Sequence, residues 1–235
     1  MAQYFTDFSG EVIGAKPADT GLKRSSSAAT YTVQNDGGVP VLRYLAASGG
    51  IAARGLSYES ALSSGVTEAF YEIRDADSSN PSSGRFALFA SDSPDNEYGV
   101  ILSASDSFQV YKRVNGSFSE LAKIAPSVSP SSYYSVRFRV TPGSPNLLQA
   151  KWWLSSADEP AIWEVETTDT RVLSGGWSGH IGFAPSANIY YKRVGIGTDG
   201  DPAPTSAGAT GPDTPINPSI TNLLATSARL NWEQG

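Results

Sequence analysis

Three carboxylates close together in sequence are the first candidates for chemistry. Residues 164–169 read Glu-Val-Glu-Thr-Thr-Asp. On a strand, Glu164 and Glu166 would share one face about 6.5–7 Å apart, and retaining glycosidases hold their carboxyl groups about 5–5.5 Å apart. One hypothesis is therefore that carboxylates of this segment act as a pair in glycoside hydrolysis. The alternative is a solvated outer face behind Trp163 and Val165.

Two acidic segments offer the oxygen ligands that calcium prefers. Asp92, Asp95 and Glu97 lie in one of them, and a second lies within residues 75–80. Calcium is bound by six to eight oxygens, so a calcium site at Asp92, Asp95 and Glu97 is one interpretation. A solvated turn is the other, because Asp and Asn side chains bond to their own backbone in turns. We expect no cofactor other than this calcium.

His180 is the single histidine, and there is no cysteine. A multi-histidine or thiolate metal site is therefore excluded, and a Ser-His-Asp triad would have one candidate base. Because Gly179 and Ile181 flank it, we expect His180 to be a strand residue without a chemical role.

Glycines 195, 197 and 200 have the spacing of the dinucleotide-binding fingerprint. That function requires a helix directly afterwards, whose N-terminus holds the pyrophosphate. Residues 201–204 read Asp-Pro-Ala-Pro, which cannot begin such a helix, so we do not assign nucleotide binding.

Aromatic side chains give another kind of candidate site, because exposed rings can stack on sugars. Trp177 follows Gly175-Gly176, and these glycines let its ring project from a loop. Tyr190 lies on a predicted closing strand, and Tyr98 begins a strand close to a sheet end. The sequence therefore predicts a carbohydrate site formed by Trp177, Tyr190 and Tyr98, with Arg85 as a polar partner. The alternative is that all three rings belong to the core.

The elements that carry these residues are strands, because the dominant hydrophobic period is two. In residues 133–141, four apolar side chains from Tyr134 to Val140 alternate with polar ones. Asn115-Gly116 between two alternating runs indicates a two-residue hairpin. The predicted strands lie at 66–74, 84–91, 97–105, 108–114, 117–124, 133–141, 147–155, 161–167, 179–184 and 188–198. Strands at this spacing predict an all-β fold, a two-sheet antiparallel sandwich.

Composition excludes several classes of function. The chain has 17 basic and 23 acidic residues and a formal net charge of −6. The basic residues do not form the stripe typical of nucleic-acid binding, and no apolar run approaches the ~20 residues of a membrane span. The N-terminal sequence lacks the regions of a signal peptide. We therefore expect no nucleic-acid partner, no membrane insertion, and synthesis in a cytoplasm without a standard export signal.

The sequence predicts three parts: a sandwich domain at 1–200, a linker at 201–218 and a further segment at 219–235. After Gly200 the chain is rich in proline, alanine, glycine and threonine, which favour an extended linker. Residues 219–235 resemble the first strands of a fibronectin type III domain, with Trp232 as its core tryptophan. Two strands cannot bury a sandwich core, so this segment is incomplete or is completed elsewhere.

Four blocks of sequence resemble the concanavalin A-like, laminin-G-like jelly rolls appended to bacteriophage tail and other virion proteins. They occur in the expected order at 6–17, 151–163, 174–183 and 190–200. The first contains Thr-Asp-Phe-Ser-Gly and a Gly-x-x-Pro turn, and the second contains a Trp-Trp pair. The resemblance implies a jelly-roll fold for residues 1–200, with its first strand at 6–10 and its closing strand at 190–200.

The same resemblance implies a non-enzymatic structural module of a virion, on a tail, fibre or capsid surface. Its partners would be other virion proteins and, as a further ligand, host surface carbohydrate. The tail analogy implies a homo-oligomer, with a trimer as one form. Some jelly-roll hydrolases carry Glu-x-Asp-x-x-Glu on one strand, and similarity to them implies Glu164 as nucleophile and Asp169 as general acid/base. The order here is Glu-x-Glu-x-x-Asp, which departs at its middle and last positions. A jelly-roll glycoside hydrolase acting on host polysaccharide and a purely structural spacer are the alternatives.

Overall fold

The computed structural model describes residues 2–17, 29–46, 53–75, 83–92, 95–103, 107–171, 176–183 and 188–207. These residues form strands and turns without any helix, which confirms the predicted all-β class. Within these ranges no helix has the length and apolarity of a membrane span. The strands are β1 (Ala2–Thr6), β2 (Ala29–Asp36), β3 (Val39–Ala46), β4 (Ala53–Ser63), β5 (Thr67–Asp75), β6 (Ser83–Asp92), β7 (Asp95–Ser103), β8 (Ser107–Val114), β9 (Ser117–Ile124), β10 (Tyr134–Thr141), β11 (Asn146–Leu154), β12 (Val165–Asp169), β13 (Gly176–Phe183) and β14 (Asn188–Thr198).

The strands form two antiparallel sheets, as predicted. Sheet A has eight strands in the order β12-β11-β10-β5-β14-β3-β2, with β1 also paired to β14. Sheet B has six strands in the order β4-β13-β6-β7-β8-β9. Many neighbours in a sheet are distant in sequence, so the chain crosses repeatedly between the sheets.

The core lies between the two sheets and is built by the period-two pattern. Tyr71 of β5 stacks on Phe86 of β6, with ring centres 5.3 Å apart, and so joins sheet A to sheet B. The adjacent tryptophans of β11 point to opposite faces, as alternation requires. Trp152 packs against the core beside Tyr134, and Trp153 lies on the outer face of sheet A beside Phe70.

The predicted hairpin is confirmed at the turn between β8 and β9. Asn115 and Gly116 have φ angles of 50° and 80°. These positive values are the conformation that a two-residue type I′ turn requires, and Asn and Gly tolerate it best.

Several predicted boundaries differ from those in the structure. The first strand, expected at 6–10, ends at Thr6. Strand β12 begins at Val165 instead of Ala161, because the preceding loop is held on the outer face of sheet A by Glu159. The Glu159 carboxylate accepts two hydrogen bonds from Arg137. Trp177, expected in a loop, lies in β13.

The predicted linker at 201–218 begins too early, because residues 201–204 pack across the outer face of sheet A. Ala203 is buried, and its N–H donates to the Glu68 carboxylate at 3.1 Å. Gly195 and Gly197 make room for this strap, which we define as residues 201–204. A Cβ on Gly197 would lie 2.2 Å from the Asp201 carbonyl oxygen. These glycines are therefore packing residues, and the fibronectin-like segment at 219–235 lies outside the described residues.

Candidate functional site

The four residues predicted to bind carbohydrate do not form one surface. Tyr98 was expected to be partly exposed, but it faces inward from β7 with 0% of its surface exposed. Arg85 of β6 lies on the outer face of sheet B and is 2% exposed. Tyr190 of β14 lies half-buried on the outer face of sheet A. Because packed sheets lie about 10 Å apart, Arg85 and Tyr190 cannot contact the same sugar ring.

Trp177 lies opposite Ala90 in the pairing of β13 with β6. Its side chain lies outside the described residues, so its expected role in sugar binding stays a prediction. His180 is a strand residue, as predicted, and lies opposite Phe86.

Asp169 has a structural environment that does not suit the general acid/base role. Its carboxylate accepts hydrogen bonds from Lys112 Nζ at 2.5 Å and from the Tyr98 hydroxyl at 2.5 Å. Burial acts to raise the pKa of Asp169, but these hydrogen bonds and that of the Arg171 N–H outweigh burial and lower it. Asp169 is therefore held as a carboxylate that links the end of β12 to sheet B.

Glu164 lies on the other side of this segment. Val165 and Asp169 are buried on the inner face, whereas Glu164 and Glu166 are exposed. Five positions separate Glu164 from Asp169, and an odd spacing places two side chains on opposite faces of a strand. The Glu164–Asp169 pair proposed for hydrolysis therefore does not come together. The odd number of positions between the two residues was enough to predict this from the sequence.

Glu97 does not have the surroundings of a calcium ligand. It is buried on the outer face of sheet B, where its Oε1 accepts a hydrogen bond from the Tyr111 hydroxyl at 2.9 Å and lies 3.7 Å from Arg113 Nε. Asp92 and Asp95 are paired across the β6–β7 hairpin, and their side chains lie outside the described residues. Within the described part of the chain, no three acidic or histidine side chains are grouped to hold a metal ion.

The outer face of sheet B carries a group in which Arg85, Tyr111 and Phe118 are in mutual contact. The Tyr111 and Phe118 rings are stacked with centres 5.0 Å apart, and the Arg85 guanidinium lies 4.7 Å from the Tyr111 ring centre and 5.4 Å from that of Phe118. Phe118 is 44% exposed, whereas the two residues beneath it are buried. This surface therefore offers an exposed ring with its polar groups hidden below.

The outer face of sheet A carries a second group, which we call the Tyr190 cluster: Asp36, Arg74, Tyr133, Tyr190 and Lys192. All five side chains are half-buried. The Arg74 guanidinium lies 5.0 Å from the Tyr190 ring centre and 5.3 Å from that of Tyr133. Strands β14 and β10 flank β5, so Arg74 lies between the two rings.

Asp36 joins this arrangement from the β2–β3 hairpin. Arg74 NH2 donates to its Oδ1 at 2.7 Å, and the Tyr133 hydroxyl donates to its Oδ2 at 2.5 Å. In the sheet, β2 is three strands away from β5. The hairpin tip must therefore lean across the outer face, and it can do so because β3 pairs with β14 through residues 42–45 alone.

A β-bulge in β14 adds the remaining cation. The pairing of β14 with β5 shifts between Tyr191 and Arg193, which inserts Lys192 as an extra residue. A bulge re-aims side chains locally, so Lys192 and Arg193 both reach the outer face and both lie near the Glu72 carboxylate. Lys192 Nζ also lies 5.5 Å from the Tyr133 ring centre.

The electrostatic surroundings of Tyr133 determine that its hydroxyl donates the hydrogen bond to Asp36. Burial and the hydrogen bond to Asp36 both raise the pKa of Tyr133, so its hydroxyl remains protonated and donates. Asp36 in turn accepts from two donors that hold its carboxylate in one orientation.

A small cavity of about 20 Å³ lies between the sheets beside Ile73 and Tyr134. It has room for one water molecule, whereas small-molecule pockets are about 300–1,000 Å³. This cavity is therefore too small to hold a sugar ring.

Sequence reasoning selected Tyr190 as a candidate but did not predict the residues that contact it. Arg74 lies directly opposite Tyr190 in the antiparallel register, and a correct pairing of β5 with β14 would have found it. No pattern in the sequence predicts the contact of Asp36 with Arg74 and Tyr133, because that contact depends on how the β2–β3 hairpin leans across the sheet.

No protein-family profile matches the chain, and no curated protein is similar to it in sequence. Solved structures are similar in fold. One is the carbohydrate-binding module CBM66 from Bacillus subtilis, with 14% identity and a TM-score of 0.55 over 75% of this chain and 95% of that one. The Bacillus licheniformis β-glucanase has 13% identity and a TM-score of 0.54 over 83% of this chain and 98% of that one.

A prokaryotic β-1,3-1,4-glucanase from a mouse hindgut metagenome has 11% identity and a TM-score of 0.53, over 83% of this chain and 99% of that one. Identities this low show the fold alone. They confirm a concanavalin A-like jelly-roll sandwich, as the sequence resemblance implied.

Proposed function

We propose that the protein is a non-enzymatic carbohydrate-binding module and that the Tyr190 cluster is its binding surface. One observation carries the proposal: a partly exposed arginine lies between two partly exposed tyrosine rings and is bound to an aspartate. Aromatic rings present apolar faces to the C–H groups of a sugar, while polar groups fix its orientation through hydroxyls.

The cluster is rigid enough for recognition. Arg74 is held by two rings and a carboxylate, and Tyr133 is held by Asp36. A pre-ordered surface loses less conformational entropy on binding. The carbohydrate-binding module among the structural neighbours supports the proposal as a fold analogy.

The test is glycan binding by the wild type and Tyr190→Ala on an array, followed by calorimetry for each hit. A stacking ring contributes about 0.5–1.5 kcal/mol beyond its burial, so we expect an affinity loss of roughly 2- to 12-fold or more. Phe118→Ala is the matched control, because it removes an exposed ring from the outer face of sheet B. Equal affinities for wild type and a folded Tyr190→Ala variant would reject the site.

We further propose the setting that the sequence resemblance implies, a homo-oligomeric module on a virion surface. The support is the four ordered blocks of sequence in residues 6–200. Mass spectrometry of purified virions from the source of the sequence tests this setting. Detection of the protein in the particles is the expected result. Its absence from them would contradict the virion setting and would leave the proposal of sugar binding at the Tyr190 cluster unaffected.

A further inference from the structure

Resting on the proposed function, we infer that Trp153 extends the Tyr190 cluster into a binding surface for an oligosaccharide that lies across the strands of sheet A. The ligand class is a glycan chain of three or more sugar units. A disaccharide fills the Tyr190 cluster alone, and a longer chain also reaches the Trp153 ring.

Trp153 lies on the same face of sheet A as the Tyr190 cluster. In the pairing of β10 with β11, Trp153 is opposite Ser135. The pairing continues one step further, because the Ser155 N–H donates to the Tyr133 carbonyl oxygen at 2.9 Å. Trp153 and Tyr133 are therefore diagonal neighbours on one face of an antiparallel pair, about 7–8 Å apart, which is within reach of aromatic side chains.

The rings occupy four neighbouring strands. Strands β11, β10, β5 and β14 are consecutive in sheet A. They carry Trp153, Tyr133 directly before β10, Arg74 and Tyr190. Neighbouring strands lie about 4.8 Å apart, so the distance across the strands from Tyr190 is about 10 Å to Tyr133 and about 14 Å to Trp153. A six-membered sugar ring is no wider than a tyrosine ring, so only a chain of sugars covers the whole line.

The Trp153 side chain is partly exposed and has a donor to offer. Its indole lies beside the buried Phe70 ring, with ring centres 6.1 Å apart, which restricts its orientation. Its neighbours Ser135 and Ser155 are small and bonded to each other through their hydroxyls at 3.0 Å. Among the described residues, none accepts a hydrogen bond from the Trp153 indole N–H. This N–H can therefore donate to a hydroxyl of a sugar that contacts the ring.

Two segments cover the outer face of sheet A further along the strands. The strap packs over Gly195 of β14, and Glu159 holds the loop before β12 on Arg137 of β10. Arg137 lies only two positions beyond Ser135, the residue opposite Trp153. A glycan that ran along the strands would meet this cover, whereas one that runs across them follows the rings.

Calorimetry with glycans of two lengths tests the inference. The probes are the gluco-, galacto- and xylo-disaccharides and the matching tetrasaccharides. For each sugar that the wild type binds, we expect the tetrasaccharide to bind at least about 5-fold more tightly, because the Trp153 ring and its N–H both add contacts. Tyr190→Ala should weaken the binding of both lengths.

The variant Trp153→Ala should act on the longer probe alone. We expect it to reduce the advantage of the tetrasaccharide to less than about 2-fold and to leave the disaccharide affinity within about 2-fold of wild type, because the Tyr190 cluster is intact. Trp163→Ala is the matched control. Trp163 is also a partly exposed tryptophan on the outer face of sheet A, but it lies beside Arg139 and Lys151 in the covered part. It should leave both affinities unchanged.

A measurement on the wild type keeps the inference testable if Trp153→Ala does not fold. In the isotope-labelled protein, the NMR signal of the Trp153 indole N–H should shift on titration with a tetrasaccharide and stay constant with the disaccharide. A constant signal with both lengths would overturn the inference, and so would equal affinities of the wild type for the two lengths.

The two ways to fail can be told apart. If Tyr190→Ala weakens the binding of both lengths and a folded Trp153→Ala variant weakens neither, the extension to Trp153 is wrong and the proposed function stands. If no probe binds in a way that depends on Tyr190, the proposed function fails and the inference fails with it.

Discussion

Substitution of Glu68 by alanine should destabilise the fold more than any surface change on sheet A. Glu68 is 1% exposed on the outer face of β5. Its carboxylate accepts hydrogen bonds from Arg137, from Arg139 Nε at 2.6 Å and from the Ala203 N–H at 3.1 Å. It therefore joins two strands of the sheet to the strap.

The size of the effect follows from what is left behind. Removal of one partner of a buried ion pair costs about 3–5 kcal/mol. Arg137 keeps its two hydrogen bonds to Glu159, and the Arg139 side chain is 36% exposed. Both facts place the expected cost at the lower end, about 3 kcal/mol. For a chain of this size that corresponds to a fall in Tm of about 6–12 °C.

Thermal unfolding followed by circular dichroism measures this, with Glu166→Ala as the control. Glu166 accepts a hydrogen bond from Gln149 on an exposed face, so its loss should change stability by less than about 0.5 kcal/mol. Limited proteolysis adds a second readout, because a released strap should be cut faster in Glu68→Ala. A Tm within 2 °C of wild type would refute the argument that Glu68 anchors the strap.

Two other predictions concern stability. Gly197→Ala should lower the free energy of unfolding by about 1–3 kcal/mol, because its Cβ would collide with the Asp201 carbonyl oxygen. Gly10→Ala is the control: its Cβ would meet nothing within 4 Å, so it should leave Tm unchanged in the same thermal scan. Asp169 has a folded pKa below its ordinary 3.8, so its stabilisation is present above that value and is lost as pH falls through the folded pKa. The difference in unfolding free energy between wild type and Asp169→Asn, measured by urea titration, should therefore shrink as the pH is lowered from neutrality past the ordinary pKa of 3.8. A difference that stays constant as the pH falls would contradict the assignment.

Most of the fold was predictable because the period-two pattern reports burial directly. The alternation around Phe138 and the Asn115-Gly116 turn both led to the correct element. The start of β12 was not predictable, since the apolar Ile162 and Trp163 look like strand residues. Ile162 is instead exposed, because the loop that carries it is held on sheet A by Glu159.

The candidate site was less predictable because it depends on contacts between distant segments. Tyr98, expected to begin a strand near a sheet end, lies inside β7 between Leu88 and Lys112. Its hydroxyl is bound to Asp169, 71 residues away, and nothing local indicates this. Pairs such as Arg74 with Tyr190 follow from strand register. The Asp36 contact follows from the lean of a hairpin, which no local pattern reports.

Aromatic NMR spectroscopy with an added oligosaccharide tests most directly whether the Tyr190 cluster binds sugar. Titration of the isotope-labelled protein with the tightest-binding oligosaccharide from the glycan array should shift the ring signals of Tyr190 and Tyr133. The ring signals of Phe118 should stay constant. Saturable shifts at Phe118 with unchanged Tyr190 and Tyr133 signals would contradict the account and place the binding surface on sheet B.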